Sequence, residues 1–94
     1  MTKNLESIKN DLWTFRKKMG FSQKGVAYLM RMKRTNDLSR YEHGKRFPNL
    51  KNALKLEIVY RTPVAFLFAE LYRRLRDEIR RRQERLKKKE DKEG

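Results

Sequence analysis

Residues 21–48 read FSQKGVAYLMRMKRTNDLSRYEHGKRFP, and the stretch divides into two short helices, a basic corner between them and a glycine loop after them. Ser22 is placed to cap the first helix, expected over about 22–30. It opens with Gln23 and Lys24 and turns Val26, Ala27 and Met30 to one face. Arg31, Met32, Lys33 and Arg34 make the corner. Either Thr35 or Asn36 can cap the second helix, expected over about 35–43, whose inward residues are Leu38 and Tyr41. Gly44 stands where a left-handed residue would stop it.

The outward face of that second helix carries Thr35, Asn36, Ser39 and Arg40. Base edges in a DNA major groove use these groups: Asn pairs with adenine, Arg with guanine, and Ser or Thr with several partners. Around them lie groups suited to phosphate. The free backbone N–H groups at Gln23 and Lys24 favour an anion, Lys33 and Arg34 occupy the corner, and Lys45 and Arg46 follow the glycine loop.

The pattern S-Q-x-x-V-A, followed by L-S-R-Y-E-x-G-K-R-x-P, resembles the Cro/CI/Xre-type helix-turn-helix family of phage and bacterial repressors, over roughly residues 12–68. The chain departs from the family pattern by having no glycine in the corner and one more residue between Met30 and Thr35. The resemblance implies an all-α, five-helix lambda-repressor-like domain over 1–72, with 35–43 as the recognition helix. It also implies a homodimer that sets two such helices on a pseudopalindrome, a phosphate contact by Gln23, and an ion pair between Arg16 of the first helix and Glu42. A guanidinium suits bidentate pairing with a carboxylate, which fixes orientation as well as adding energy.

Composition agrees with a polyanionic partner. Lys and Arg number 26 against 12 Asp and Glu, a net +14 on 94 residues. Residues 73–94 hold 11 basic and 6 acidic side chains, so residues 1–72 keep a net +9 of their own. A chain of this length makes one domain with a small core. The absence of cysteine excludes disulfides and thiolate metal sites. His43, beside a loop glycine, reads as a solvated turn residue; no metal site and no cofactor is expected. No apolar run approaches a membrane span and MTKNLESIKN lacks the apolar core of a signal peptide, so a cytoplasmic protein without membrane contact is expected.

Upstream, Leu5, Ile8, Leu12, Phe15 and Met19 recur at helical spacing, and Gly20 follows as a stop, which predicts one helix with one buried stripe and Arg16 nearly opposite it. Trp13 lies at the edge of that stripe. Downstream, Asn49 can cap a helix to Tyr60 whose apolar residues Leu50, Ala53, Leu54, Leu56, Ile58 and Val59 occupy more than one face. Such a helix packs on both sides, within the domain or against a second subunit.

Thr62 and Pro63 read as cap and first position of a fifth helix with Val64, Leu67, Phe68, Leu71 and Tyr72 inward. That helix meets no stop signal, so a basic helical extension over 73–94 is predicted, fraying at its end. Asp77 with Arg81, Glu78 with Arg82 and Glu84 with Lys88 are acid-first pairs four apart that support an exposed helix. Its apolar line, Leu75, Ile79 and Leu86, is broken at Arg82, short of the sustained heptads of a coiled-coil seam.

Catalysis is excluded on inventory: no cysteine, one histidine, no glycine-rich phosphate loop and no carboxylate cluster at metal spacing. Two functional classes remain. One is a sequence-specific regulator of transcription, a repressor, bound to double-stranded DNA. The other is a partner-binding protein, such as an antitoxin that also binds its own promoter and engages a protein through its basic C-terminal helix; non-specific binding of RNA or anionic lipid by that helix is a third, weaker option.

Overall fold

The computed structural model describes residues 8–93, and within them every regular element is a helix. α1 spans Leu12–Met19, α2 Gln23–Leu29, α3 Asn36–Glu42, α4 Leu50–Tyr60, α5 Val64–Leu67 and α6 Ala69–Glu93. Leu12, Val26, Met30, Leu38, Tyr41, Leu56, Tyr60, Leu67 and Phe68 form one buried cluster, with Ile8, Phe15, Phe21, Met32, Val59, Val64 and Leu71 packed around it. Of the inward residues expected of α2 and α3, Val26, Met30, Leu38 and Tyr41 are in this cluster, and Ala27 is buried as well. The N-terminal caps of α2 and α4 form as expected: the Ser22 hydroxyl accepts from the Gly25 N–H at 3.0 Å, and Asn49 Oδ1 accepts from the Asn52 N–H at 2.8 Å.

The first four helices end in the same way. At each end a left-handed residue donates its N–H three residues back, and the following residue donates five residues back, so that two orphan carbonyls are satisfied. Gly20 and Phe21 do this for α1, Arg31 and Met32 for α2, Gly44 and Lys45 for α3, and Arg61 and Thr62 for α4. At Arg31 and Arg61, φ is +60° and +52°. An L side chain in that region costs about 1–2 kcal/mol. At Arg31 it makes the corner between α2 and α3 without the glycine that usually serves there, and Lys55 of α4 closes the same helix end by donating from Nζ to the Met30 carbonyl at 2.8 Å.

Several sequence expectations are corrected, Tyr72, expected inward but half exposed, among them; the first two concern helix bounds. The first helix does not include Ile8 and begins at Leu12; Leu5 lies outside the described residues. Asn10 is the cause. Its Oδ1 accepts from the Leu12 N–H at 3.0 Å, while its Nδ2 donates to the carbonyls of Ile8 and Tyr41, each at 2.9 Å. Residues 8–11 therefore form an irregular strap across the domain, with Ile8 N–H on the Gly44 carbonyl at 2.8 Å and Asp11 N–H on the Leu67 carbonyl at 2.9 Å. Met19, expected inside, is over a third exposed.

The second correction is that the last expected helix is two, so the described residues contain six helices rather than five. Phe68 leaves helical geometry (φ −122°, ψ 52°), and the Leu67 carbonyl is directed to the strap. Pro63 occupies the cap position of α5, not its first helical position, and Thr62 donates its hydroxyl to the Tyr60 carbonyl instead of capping. The cap comes from α4: Glu57 Oε1 accepts from the Val64 N–H at 3.0 Å.

Of the two apolar faces of α4, one buries Leu56 and Tyr60 while Leu50, Leu54 and Ile58 stand exposed on the other. Beyond Arg76, α6 is exposed through Lys92. Among the described residues its ion pair is Arg76 with its neighbour Asp77 at 3.2 Å, rather than one of the acid-first pairs expected four apart.

Gly20 and Gly44 share a left-handed φ, +77° and +72°, but not surroundings. A Cβ on Gly20 meets nothing within 4 Å, whereas one on Gly44 would lie 2.4 Å from the Ile8 carbonyl oxygen and 2.5 Å from its nitrogen. Gly20→Ala is expected to lose about 1–2 kcal/mol of stability. Gly44→Ala should lose a further ~1–3 kcal/mol as the strap is pushed off. Denaturant unfolding of the two variants checks this, and equal losses would mean that the strap does not lie on Gly44 in solution.

Candidate nucleic-acid interface

The outward face of α3 is held in place from beneath by a buried ion pair. Arg16 donates from Nε to Glu42 Oε2 at 2.5 Å and from Nη2 to Oε1 at 3.1 Å, and its Nη1 donates to the Phe21 carbonyl at 3.1 Å. The two side chains are 7% and 3% exposed. Arg16 therefore does not lie opposite the buried stripe of α1 but belongs to it, one turn after Leu12. The hydrogen bond to Glu42 raises its pKa further, against the lowering effect of burial. Gln23 completes the group by donating from Nε2 to Glu42 Oε1 at 3.0 Å. Three segments thus meet at one carboxylate: α1, the start of α2 and the last residue of α3.

With Leu38 and Tyr41 in the core, Asn36 and Arg40 are exposed, Thr35 and Ser39 half-buried. Thr35 occupies the cap position of α3 without a side-chain capping bond, so α3 starts at Asn36. Lys33, Arg34, Asn36 and Arg40 border one open concavity of about 430 Å³, together with Asp37 and with Asn52 of α4. Four of the residues singled out from sequence are therefore brought together around α3 and the corner before it. Lys24, Lys45 and Arg46 are exposed as well. Lys45 follows the C-terminal end of α3, and Lys24 follows Gln23, whose amide reaches that same end. Gln23 itself points inward at Glu42; an amide carries two N–H donors, which leaves one for a phosphate.

Sequence reasoning missed two residues here. Asp37 accepts from Arg40 Nη1 at 3.3 Å and from Arg46 Nη1 at 3.2 Å, so both guanidiniums are tethered to one carboxylate on the surface. Exposed pairs of this kind are worth about 0–1 kcal/mol and are readily exchanged for another anion. His43, one turn beyond Ser39, places Nδ1 at 2.8 Å from the Ser39 carbonyl. A carbonyl only accepts, so Nδ1 is the donor in this contact. Spacing alone marks His43 as a member of that face, one turn after Ser39 and two after Asn36. Among the described residues no group of three His, Asp or Glu side chains gathers at metal-binding distance, and no helix is long and apolar enough to cross a membrane.

No protein-family model matches the chain, and no curated protein matches it.

Arg16→Ala and Glu42→Ala are each expected to cost about 3–5 kcal/mol, because each leaves a charge buried without its partner. The double variant should lose clearly less than their sum, and a strictly additive thermal-unfolding cycle would show that the two do not interact. Tyr60 gives a second check. Its hydroxyl is buried without a hydrogen-bond partner among the described residues, and burial, helped by Glu42 and opposed by Arg16, pushes the phenol well above its ordinary pKa. The unfolded phenol ionises near pH ~10 and the folded one does not, so this contribution to stability is complete below that pH and is lost above it. Tyr60→Phe is expected to be at least as stable as the wild type at neutral pH and to lose less stability on moving above pH ~10, measured by denaturant unfolding across that range.

Proposed function

We propose that the chain is a sequence-specific double-stranded DNA-binding regulator of transcription, a repressor of Cro/CI/Xre type on a lambda-repressor-like fold, that lays α3 in the major groove. The observation that carries this reading is the division of α3: Leu38 and Tyr41 are in the core while Asn36, Ser39 and Arg40 turn outward, with exposed cations at both ends. An amide, a hydroxyl and a guanidinium on one face match base edges, and Ser39 and Arg40, each about one turn after Asn36, are spaced to reach a neighbouring base pair.

The cations take the backbone. Lys33, Arg34 and Arg46 serve one end of α3, and Lys24, Lys45 and the second amide N–H of Gln23 serve the other. Contacts of this kind fix register and supply affinity, not choice of sequence. Asp37 has a place in the same scheme. It holds Arg40 and Arg46 in the free protein and repels phosphate, so a duplex must offer each guanidinium a better acceptor before docking closely. This favours the site where Arg40 meets a guanine over one where it does not.

Selection of bound sequences from random duplex DNA at near-physiological salt is expected to enrich a defined motif, and log K should fall with log salt by about 0.9 per phosphate neutralised. Arg40→Ala should cost about 1–3 kcal/mol on the selected site and little on random DNA. Lys45→Ala should weaken both alike. No enrichment, or a salt slope near zero, would refute the reading; equal weakening by Arg40→Ala on both duplexes would make Arg40 a phosphate anchor.

A further inference from the structure

After Tyr72 the sequence of α6 repeats every seven residues: RRLRDEI, RRRQERL, KKKEDKE. The first two positions of each repeat are always basic, the fifth is always acidic, and the seventh is Ile79, then Leu86. A period of seven is 3.5 residues per turn, the period that keeps one seam of a helix against another helix; here the first, second and fifth positions keep their charge through all three repeats, and the seventh is apolar in the first two.

The seam runs Tyr72, Leu75, Ile79, Arg82, Leu86, Lys89. Its apolar members are all about half exposed. Its first two belong to an apolar groove of about 380 Å³ whose other wall includes Phe47 and Pro48. The basic pairs, such as Arg80 and Arg81, and the acids Asp77 and Glu84 fall on the far side of the helix, where they interact with each other and with solvent.

The charges decide what covers the seam. In a parallel pair of these helices Arg82 would face Arg82 and Lys89 would face Lys89. In an antiparallel pair centred between Arg80 and Arg81, Leu75 faces Leu86 of the second copy, Ile79 faces its Arg82 and Tyr72 faces its Lys89. Each like-charge contact is removed: the Arg82 stem lies along Ile79 with its head in water, and the Lys89 ammonium meets the Tyr72 ring. The flanking positions agree, since Glu78 then lies beside Arg85 of the second copy, twice by symmetry.

We propose that α6 is the dimerisation element of this protein and that it pairs antiparallel with α6 of a second copy in this register. The proposal does not rest on the reading of α3, because pairing is measured without DNA.

The chain has no cysteine, so the register can be read by cross-linking in the full-length protein. Leu75 and Leu86 are about 16 Å apart along one helix, too far for a disulfide within a chain. The expected result is a dimer by sedimentation at tens of micromolar. Under oxidised glutathione, Leu75→Cys/Leu86→Cys should form a covalent dimer that neither single variant forms. Glu78→Arg should weaken the dimer by about tenfold, since two attractions become repulsions, and adding Arg85→Glu should restore it. Position 78 lies beyond Arg76, where α6 is exposed, and unchanged helical circular dichroism confirms that the domain is intact. A monomer at these concentrations, a covalent dimer of Leu75→Cys alone, or a dimer indifferent to both the cysteine pair and the charge exchange would overturn the proposal.

Discussion

The bidentate pair between Arg16 and Glu42 is the contact on which the presentation of α3 depends. A domain with so few buried residues places in its core a guanidinium and a carboxylate whose desolvation is costly, and such pairs often add little net stability over apolar replacements. What the pair supplies is orientation. Glu42 is the last residue of α3, and it is met from two directions by donors of fixed geometry: the planar fork of Arg16 in α1 and the amide of Gln23 at the start of α2. Apolar residues of the same volume would fill the space without fixing the helix about its own axis. For a helix proposed to set its outward face against base edges, that rotation matters more than a further kilocalorie of burial.

The helix ends make the same trade. Two of the first four helices finish on left-handed glycines and two on left-handed arginines. Gly44 cannot be otherwise, because Ile8 lies where its Cβ would be. Arg31 and Arg61 carry a backbone cost that glycine would relieve. At Arg31 this puts another cation into a corner that already holds Lys33 and Arg34, so strain in the backbone accompanies a stronger positive field beside α3. Lys55, from α4, offsets part of it by satisfying the carbonyl of Met30.

What could be read from the sequence follows the range of the forces involved. Ser22, Asn49, Gly20 and Gly44 are legible because a cap or a left-handed stop depends on a few neighbouring residues, and the core residues of α2 and α3 because period and burial coincide. The Arg16–Glu42 contact, 26 residues apart, rests in the sequence only on a resemblance, and the burial of Arg16 one turn after Leu12 contradicts the expectation that it lies opposite the buried stripe. The start of α1 and the break at Phe68 were not legible for one reason: both depend on the strap of residues 8–11, whose hydrogen bonds reach Gly44, Tyr41 and Leu67 across the domain. Period-counting extends a helix until a local signal stops it, and here the signals are distant. At the interface, exposure of Asn36 and Arg40 follows from spacing to Leu38 and Tyr41. The tether of Arg46 to Asp37 depends on the path of the loop after Gly44, which no local pattern fixes.

Helix α6 poses the remaining physical question, since beyond Arg76 it has no domain to lean on. Seventeen residues of isolated helix are marginal in water even with favourable propensity, and exposed ion pairs four apart add only about 0.2–0.5 kcal/mol each. Its far side sets basic and acidic residues together, while the near side carries apolar and long-stemmed cationic residues, which on the proposed pairing suit a neighbour running in the opposite direction. On the two proposals made above, base reading by α3 and assembly by α6 are separated along the chain, and each is free of the other's constraints. The core can then remain small, because it has only to hold α3 at one angle and to anchor the first turns of α6.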